Sequence, residues 1–436
     1  MNSTPRGRKE RPAATVLVLI TVLLDTLGLG LLIPVGPRLV ASFLGGDLTQ
    51  ASYYFGFLTS LYAAMQFLFS PVVGGLSDRF GRRPVILFSL LGAAASYLVS
   101  GFAPALSWLF VGRVISGATG ASFSAAGAYI ADITPPAKRA ASFGLVGAAF
   151  GFGFILGPAL GGLLGDLGLR VPYFVAAALN FLNMMYGIFV LPESLPRSER
   201  RPFSFARANP LGSIRSLGRH PVVRRLTGTM MCSFMAQWIL QSVWALYTQA
   251  RYGWALHDVG LSLMVVGVAT AIVQGFLVRT IVPRIGEQRA LAAGLVMAIV
   301  GHLAIGLADR GFLLLLSIFP LALGGLAGPS VQALISREVP ATEQGEMQGA
   351  LNSLGGIAAI IGPLLGTALL ARFAHPGSTP YVPGAPFFAA AGFNALGLLL
   401  ALRIIRRSAP NPAEKPDVAR AGDQNQPASS ASRING

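Results

Sequence analysis

Long apolar runs recur along almost the whole chain, and they constrain the fold more than any other feature of the sequence. A helix needs about 20 apolar residues to cross the hydrocarbon core of a bilayer. Twelve such stretches follow one another, separated by short polar loops. Their centres lie near Asp25, Met65, Ala93, Gly120, Gly151, Met184, Ile239, Ala269, Ile299, Leu323, Ile360 and Ala395. We therefore predict an all-α polytopic membrane protein with twelve transmembrane helices.

The composition agrees with a membrane protein and argues against other classes. Hydrophobic residues make up 53% of the chain and charged residues only 11%, too little polar surface for a soluble globule. The net charge of +16 is spread over short loops rather than gathered on a soluble domain, so we expect no nucleic-acid partner. Cys232 is the only cysteine, which excludes an intramolecular disulfide and a thiolate metal cluster. No Walker loop or catalytic constellation is present, and we expect no enzyme, no cofactor and no metal.

A segment rich in Pro, Ser and Arg divides the twelve runs into six and six. Its positive charge places it in the cytoplasm, and with six crossings on each side both termini lie there too. The predicted domains are a cytoplasmic N-terminal segment (1–12), a six-helix bundle (13–191), a cytoplasmic linker (192–221), a second six-helix bundle (222–407) and a disordered cytoplasmic tail (408–436). The expected location is the inner (plasma) membrane.

The two predicted bundles repeat one another in sequence. Matching residues are 205 positions apart: Pro135 with Pro340, Pro158 with Pro363, and Gly161 with Gly366. Duplicated six-helix bundles are typical of transporters that bind substrate between the repeats near the bilayer midplane. The repeat therefore favours a pseudo-symmetric transporter over a receptor or a membrane enzyme.

Residues 74–83 read GGLSDRFGRR and join two apolar runs. Their arginines cannot cheaply enter hydrocarbon, so they hold this loop on the cytoplasmic side, and the glycines make it a candidate hinge. The predicted gating residues are Gly74, Asp78, Arg79, Gly81, Arg82 and Arg83, together with Asp132 as a partner for Arg79 or Arg82.

Several segments in order resemble the major facilitator superfamily and, within it, the tetracycline/proton antiporter group. The loop matches the motif G-x-x-x-D-R-x-G-R-R, and span four carries Leu109, Arg113 and Gly117 in the pattern L-x-x-x-R-x-x-x-G. Span five matches the antiporter signature G-x-x-x-G-P-x-x-G-G through Gly153, Gly157, Pro158, Gly161 and Gly162. DTLGLGLLIPVGP (25–37) and VWALYTQARYGW (243–254) resemble the tetracycline-efflux group specifically. The resemblance implies the major facilitator fold and a single-chain, proton-coupled antiporter in the lipid bilayer.

Asp25 and Arg113 are the two charged residues that we place well inside the bilayer. An ionisable group there costs at least a few kcal/mol, so a site that tolerates one usually uses it. We expect Asp25 to exchange the proton; the alternative is a polar residue bonded to its own backbone near Gly28 and Gly30. Arg113 cannot shed its proton, and it either couples to Asp25 or is purely structural.

The resemblance implies that Asp78 gates the transporter by pointing at the amino end of span eleven, near Gln344 to Met347, where free N–H groups favour an anion. The alternative is that Asp78 only offsets its arginine neighbours on a wet surface. The glycines of span five let a neighbouring helix approach closely, either in ordinary packing or in a bundle that opens and seals.

Polar side chains within the spans are candidates for the substrate cavity, because an amide in hydrocarbon is costly unless it faces water or a ligand. The candidates are Tyr62, Gln66, Gln237, Trp238, Gln241, Asn180 and Asn394. Hydrogen bonding between helices is the competing explanation for each amide.

The chain departs from the tetracycline-efflux pattern at three places. Ser96 stands where that group has an acid in span three, Thr270 lies near the place of a histidine in span eight, and the span-nine stretch AAGLVMAIVG is uncharged. We therefore predict export of a small amphipathic drug-like compound, tetracycline-like or multidrug, in exchange for protons. The alternatives are a facilitator or proton-coupled uptake carrier for a small metabolite, and a non-transporting sensor or scaffold.

Overall fold

The computed structural model describes residues 12–120, 122–135, 138–203, 221–340, 343–374 and 377–405. Residues 1–11, most of the predicted linker (204–220) and the predicted tail lie outside the described residues. The first half contains α1 (Pro12–Leu32), α2 (Gly36–Ser42), α3 (Leu48–Phe80), α4 (Arg82–Gly101), α5 (Leu106–Thr119), α6 (Ser122–Ile133), α7 (Arg139–Leu167) and α8 (Val171–Val190). The second half contains α9 (Pro221–Tyr252), α10 (Leu256–Ile272), α11 (Val278–Ile285), α12 (Glu287–Leu307), α13 (Gly311–Leu323), α14 (Ala327–Glu338), α15 (Gln344–Phe373) and α16 (Ala385–Ile405). Helices are the expected form of these segments because a helix satisfies its backbone groups internally where no water is available.

The predicted helical membrane architecture is confirmed. Within the described ranges, nine helical segments are long and apolar enough to cross a membrane, and the bent pair α1–α2 makes a tenth. The two remaining predicted spans are the pair α5–α6, interrupted at Gly120, and α9, which is 32 residues long but more polar. Each predicted centre lies in a helix or, for Gly120, at the break between two. The number twelve stays a prediction for those two spans.

The internal repeat extends to breaks in the helices. Gly120 separates α5 from α6, and the 3₁₀ turn Gly324–Leu326 separates α13 from α14, with Gly120 and Gly325 again 205 residues apart. Gly81 and Gly286 are also 205 residues apart, and they join α3 to α4 and α11 to α12 with positive φ angles of 110° and 82°. Positive φ favours glycine at both turns. The two halves therefore share irregularities of the backbone as well as sequence.

Each half packs mainly around itself. In the first half α1 packs against α7 and α8, and α4 against α5 and α8; in the second, α9 packs against α15 and α16, and α12 against α13 and α16. Among the described helices, the main contacts that join the halves are α3 with α15 and α7 with α10, and α3 also contacts α9. Two hydrophobic clusters follow this division, since one surrounds Tyr129 in the first half and another surrounds Leu295 in the second. A third joins the halves, because Leu256 of α10 belongs to the same cluster as Leu31 and Val35.

The molecule has two ends, which we name by a residue at each. The Arg38 end is the face where α1 finishes and α3 begins, and the Asp78 end is the face where α3 finishes and α4 begins. In the predicted topology these ends are the external and cytoplasmic faces.

Candidate functional site

Asp25, Arg113 and two tyrosines form a polar cluster inside the first half. The guanidinium carbon of Arg113 on α5 lies 6.0 Å from the ring centroid of Tyr62 on α3, within the range of a cation–π contact. Asp25 on α1 and Arg113 both act electrostatically on Tyr62 and on Tyr97 of α4. Four helices thus bring an acid, a permanent cation and two phenols together in the hydrophobic interior.

Gln66 links this cluster to the break in span four. Its Nε2 donates to the Tyr62 hydroxyl at 3.2 Å and to the Gly120 carbonyl at 3.0 Å. Because α5 ends at Thr119, the carbonyl of Gly120 lies outside a regular helix and needs a donor. The hydrogen bond to Gly120 joins two helical segments, as expected if this amide serves helix packing rather than the substrate cavity. Its other partner, the Tyr62 hydroxyl, belongs to the polar cluster.

Asn180 and Asn394 occupy corresponding, buried positions in the two halves. Asn180 Nδ2 donates to the Ala176 carbonyl at 3.0 Å and Asn394 Nδ2 to the Ala390 carbonyl at 3.2 Å, each within its own helix. Their exposures are 0% and 3%. Asn180 lies against Gly28, where an added Cβ would be 2.9 Å from its Nδ2. Both amides are thus enclosed by helix packing, and their contact with substrate stays a prediction.

The polar residues of α9 are arranged differently. Gln237 and Gln241 are both exposed, one turn apart on the face opposite Ile239, which is fully buried against α16. Trp238 packs against α15, because a Cβ added at Gly362 would lie 2.6 Å from Trp238 Cβ. The side-chain amides of Gln237 and Gln241 are therefore accessible, whereas those of Asn180 and Asn394 are buried between helices.

Arg82 is the centre of the predicted gating loop. Its Nη1 lies 2.6 Å from Asp78 Oδ1, and its Nε lies 3.1 Å from Asp132 Oδ2 near the end of α6. Asp132 therefore pairs with Arg82, whereas the Arg79 guanidinium lies over the Phe80 ring at 5.1 Å. Asp78 is held by Arg82 in this conformation rather than by the amino end of α15.

Glu193, which sequence reasoning missed, fastens the gating loop to the segment after α8. Its Oε1 accepts the backbone N–H of Arg82 at 2.9 Å and that of Leu195 at 3.1 Å. A Cβ added at Gly81 would lie 2.2 Å from Glu193 Oε2, so a side chain there would have to displace this carboxylate. Among the described residues, nothing lies within 4 Å of a Cβ added at Gly74, so packing against them does not explain that glycine. The remaining member, Arg83, donates to the Ile188 carbonyl.

The glycines of α7 bring two helices close on two sides. Cβ atoms added at Gly153, Gly157 and Gly161 would lie 2.2 to 2.7 Å from Thr26, Gly30 and Leu31 of α1. The next residue, Gly162, faces the other half instead, where an added Cβ would be 2.3 Å from the Leu256 carbonyl. Pro158 joins this second contact, because its carbonyl would lie 2.3 Å from a Cβ added at Gly260 of α10. The face predicted from the spacing of these glycines is therefore in close contact with α1.

The halves are fastened together at the Arg38 end. Arg38 Nε donates to Gln249 Oε1 at 3.0 Å, and Arg38 Nη2 donates to the Trp254 carbonyl at 2.7 Å. His257 Nδ1 lies 2.6 Å from Asp166 Oδ2. At the Asp78 end, the ion pairs of Arg82 and of Arg337 with Glu287 each stay within one half. This conformation therefore has the Arg38 end closed.

Comparison with known proteins agrees with this architecture. The sequence profile of the Major Facilitator Superfamily matches residues 18–309 and 226–434. The chain belongs to this superfamily. The predicted family and fold are confirmed, and the chain is a membrane transporter for a small molecule.

Relatives within the superfamily are named for drug resistance. The chain is 41% identical to the class C tetracycline resistance protein of Escherichia coli over 361 residues, 83% of this chain and 90% of that protein. It is 38% identical to the class G tetracycline resistance protein of Vibrio anguillarum over 82% of this chain and 90% of that protein. Among solved structures, a variant of the nucleoside transporter NupG has a TM-score of 0.72 at 13% identity, covering 90% of this chain and 99% of that one. That last similarity concerns the major facilitator fold alone.

Some buried polar residues of the first half were missed by sequence reasoning. Tyr97 and Tyr173 are each 4% exposed, and Arg113 acts electrostatically on both. Asn183 Nδ2 donates to the Thr21 carbonyl of α1 at 3.2 Å. The available signal was a polar side chain within an apolar run. Tyr97, Tyr173 and Asn183 show it as clearly as Tyr62 and Asn180 do.

Proposed function

We propose that the chain is a proton-coupled antiporter that exports a small amphipathic drug-like compound by alternating access. The observation that carries the proposal is the cluster of Asp25, Arg113, Tyr62 and Tyr97 in the hydrophobic interior. Within it, Asp25 is the group that takes up and releases the proton, and Arg113 supplies a charge that does not change. Relatives named as tetracycline resistance proteins support the direction of transport.

The substrate proposed is a neutral or cationic amphipathic compound, whether tetracycline-like or multidrug. Ser96, at the family's acidic position in span three, is 2% exposed and donates to the Ala93 carbonyl of its own helix at 2.8 Å. It therefore offers no charge to a bound drug. Tyr62, Gln237 and Gln241 supply aromatic and amide groups suited to such a compound.

In the proposed movement, the Arg38 end opens as the Asp78 end closes. In the present conformation α15 begins beside an open cavity of about 540 Å³ lined by Gln332, Gln344 and Gln348. On closure of the Asp78 end, we expect the Asp78 carboxylate to meet the N–H groups at the start of α15, where an anion is favoured. The two bundles, 13–191 and 222–407, would move as units, with the linker and both termini in the cytoplasm and a single chain in the inner membrane sufficient for activity.

The test uses everted membrane vesicles from a pump-deficient bacterium that expresses the chain. Drug susceptibility against a panel identifies a substrate, and its addition to energised vesicles should release protons from the lumen. We expect Asp25→Asn to abolish this release, because an amide cannot exchange a proton. The matched control is Asp309→Asn, which neutralises an exposed acid between α12 and α13 and should leave proton release unchanged.

Three results would refute the proposal. If no compound causes proton release from vesicles that contain the wild-type chain, the chain is not an antiporter. If Asp25→Asn retains wild-type proton release, another group carries the proton. Increased drug accumulation in cells on expression would instead indicate an uptake carrier.

A further inference from the structure

A histidine and an aspartate connect the two halves at the Arg38 end. Asp166 is the penultimate residue of α7 in the first half, and His257 is the second residue of α10 in the second half. His257 Nδ1 lies 2.6 Å from Asp166 Oδ2, with the two side chains 41% and 37% exposed. The link is therefore open to protons from the solvent on that side.

A second link beside it does not titrate. Arg38 joins Gln249 and the Trp254 carbonyl, and Gln249 Nε2 donates to the Pro34 carbonyl at 3.2 Å. The guanidinium keeps its charge at all physiological pH values, and the amide has none to lose. The Arg38 end is thus closed by one link that responds to pH and one that does not.

The other charges near His257 define what changes when the halves separate. Asp258 Oδ1 lies 3.3 Å from His257 Nε2, and Asp258 Oδ2 accepts the Ala255 N–H. The remaining charged groups at this end, on or next to the elements packed against α10, are Arg170, Arg251, Asp309 and Arg310. Because Asp258 is on α10 itself, it accompanies His257 in every conformation. Asp166 is on the other half, so only its contact is gained on closure.

We propose that protonation of His257 stabilises the closed Arg38 end through Asp166, so that acid on that side reseals the transporter. This rests on the proposed function in one respect, namely that closure of this end is a step of the transport cycle. With a protonated imidazole the contact is an ion pair, and with a neutral imidazole it is a hydrogen bond to a carboxylate alone. In a proton-driven exporter, the return to the closed state would then be favoured where external protons are abundant.

The expected effect is modest and measurable. An ion pair between partly exposed side chains changes an equilibrium constant by about two- to fivefold. We therefore expect the ratio of closed to open Arg38 ends to increase by about two- to fivefold when the pH is lowered from roughly 8 to 5.5, because an imidazole gains its charge near neutral pH.

The experiment measures distances between spin labels by pulsed electron resonance in lipid nanodiscs that contain the full chain. Cys232 is the only cysteine, so Cys232→Ala gives a background in which Leu167→Cys and Phe312→Cys introduce the labels. These two positions are 77% and 69% exposed and lie at the Arg38 end of different halves. Closed and open populations are read from the distance distribution across the pH range.

Three single variants and one exchange separate the two links. His257→Asn retains a hydrogen-bond donor but cannot titrate, and Asp166→Asn removes the charge of its partner; each should abolish the pH-dependent part of the shift. Arg38→Gln should lower the closed population by a similar factor at every pH. The exchange Asp166→His with His257→Asp should restore the pH dependence.

Wild-type pH dependence in His257→Asn would overturn the proposal, as would a wild-type distance distribution that does not change with pH. The distance measurement needs no substrate. A chain that exports no compound but retains the histidine-dependent shift would therefore refute the proposed function and leave this inference intact.

Discussion

Replacement of Gly161 by alanine tests whether the glycine face of α7 sets the distance to α1. A Cβ added at Gly161 would lie 2.2 Å from the Leu31 carbonyl oxygen and 2.7 Å from the Leu31 Cα. Those atoms belong to the backbone, so no change of side-chain rotamer relieves the clash. Leu31 is fully buried, which leaves movement of the whole helix as the remaining response.

The size of that movement follows from the distances. Ordinary contact begins at 3.4 Å, so α1 must retreat by 3.4 minus 2.2, or about 1.2 Å, along the contact direction. Overpacking of a well-packed interior costs about 1–3 kcal/mol. Because α1 also carries Asp25, we expect Gly161→Ala to lower both the stability of the protein and drug export.

The matched control is Gly151→Ala on the same helix, where an added Cβ meets no atom of the described part of the chain within 4 Å. Alanine is favoured over glycine in a helix by about 1 kcal/mol, so this variant should be as stable as the wild type or more so. Melting temperature in detergent and drug resistance in cells measure the two effects. If Gly161→Ala melts at the same temperature as Gly151→Ala and confers equal resistance, the close approach of α1 is not required.

Two further predictions concern the Asp78 end. Gly81→Ala combines a φ of 110° with a Cβ 2.2 Å from Glu193 Oε2, whereas a Cβ at the matching Gly286 (φ 82°) meets none of the residues that the structure describes within 4 Å. Gly81→Ala should therefore lower melting temperature and resistance more than Gly286→Ala, and equal losses would contradict this. Arg82→Gln removes the cation beside Asp132, whose side chain is 14% exposed, and should cost about 1–3 kcal/mol of stability. Arg82→Lys keeps the positive charge but loses the two-pronged guanidinium, so drug export by vesicles should be intermediate between wild type and Arg82→Gln. Wild-type export by Arg82→Gln would contradict the role of the ion pair between Arg82 and Asp132.

The sequence predicts the membrane architecture well because hydropathy and helix length are local properties. The repeat is similarly visible, since Pro158 and Pro363 are 205 positions apart, as are Gly161 and Gly366. The glycine spacing in α7 also identifies the face that contacts α1. For Asp132, the sequence indicated an arginine partner but not which of Arg79 and Arg82 it would be, because the choice depends on the packing of α6 against the loop.

Contacts between distant segments are what the sequence does not disclose. Arg38 and Gln249 are 211 residues apart, and neither lies in a local pattern that indicates the other. Glu193 stands in a loop with no motif, yet it accepts hydrogen bonds from two segments. For Asn180, composition alone could not distinguish an amide in an open cavity from one enclosed between helices.

The adjacent glycines of α7 give one helix two different surfaces. Gly161 meets α1 of its own half, and Gly162 meets the backbone of α10 in the other half. On the second surface, backbone lies directly against backbone, so a shift of α10 along α7 would displace few side chains at this point. Consecutive residues of α7 thus serve different purposes. Gly161 allows the tight packing that holds the first half together, and Gly162 leaves a smooth surface on which the second half can change its position.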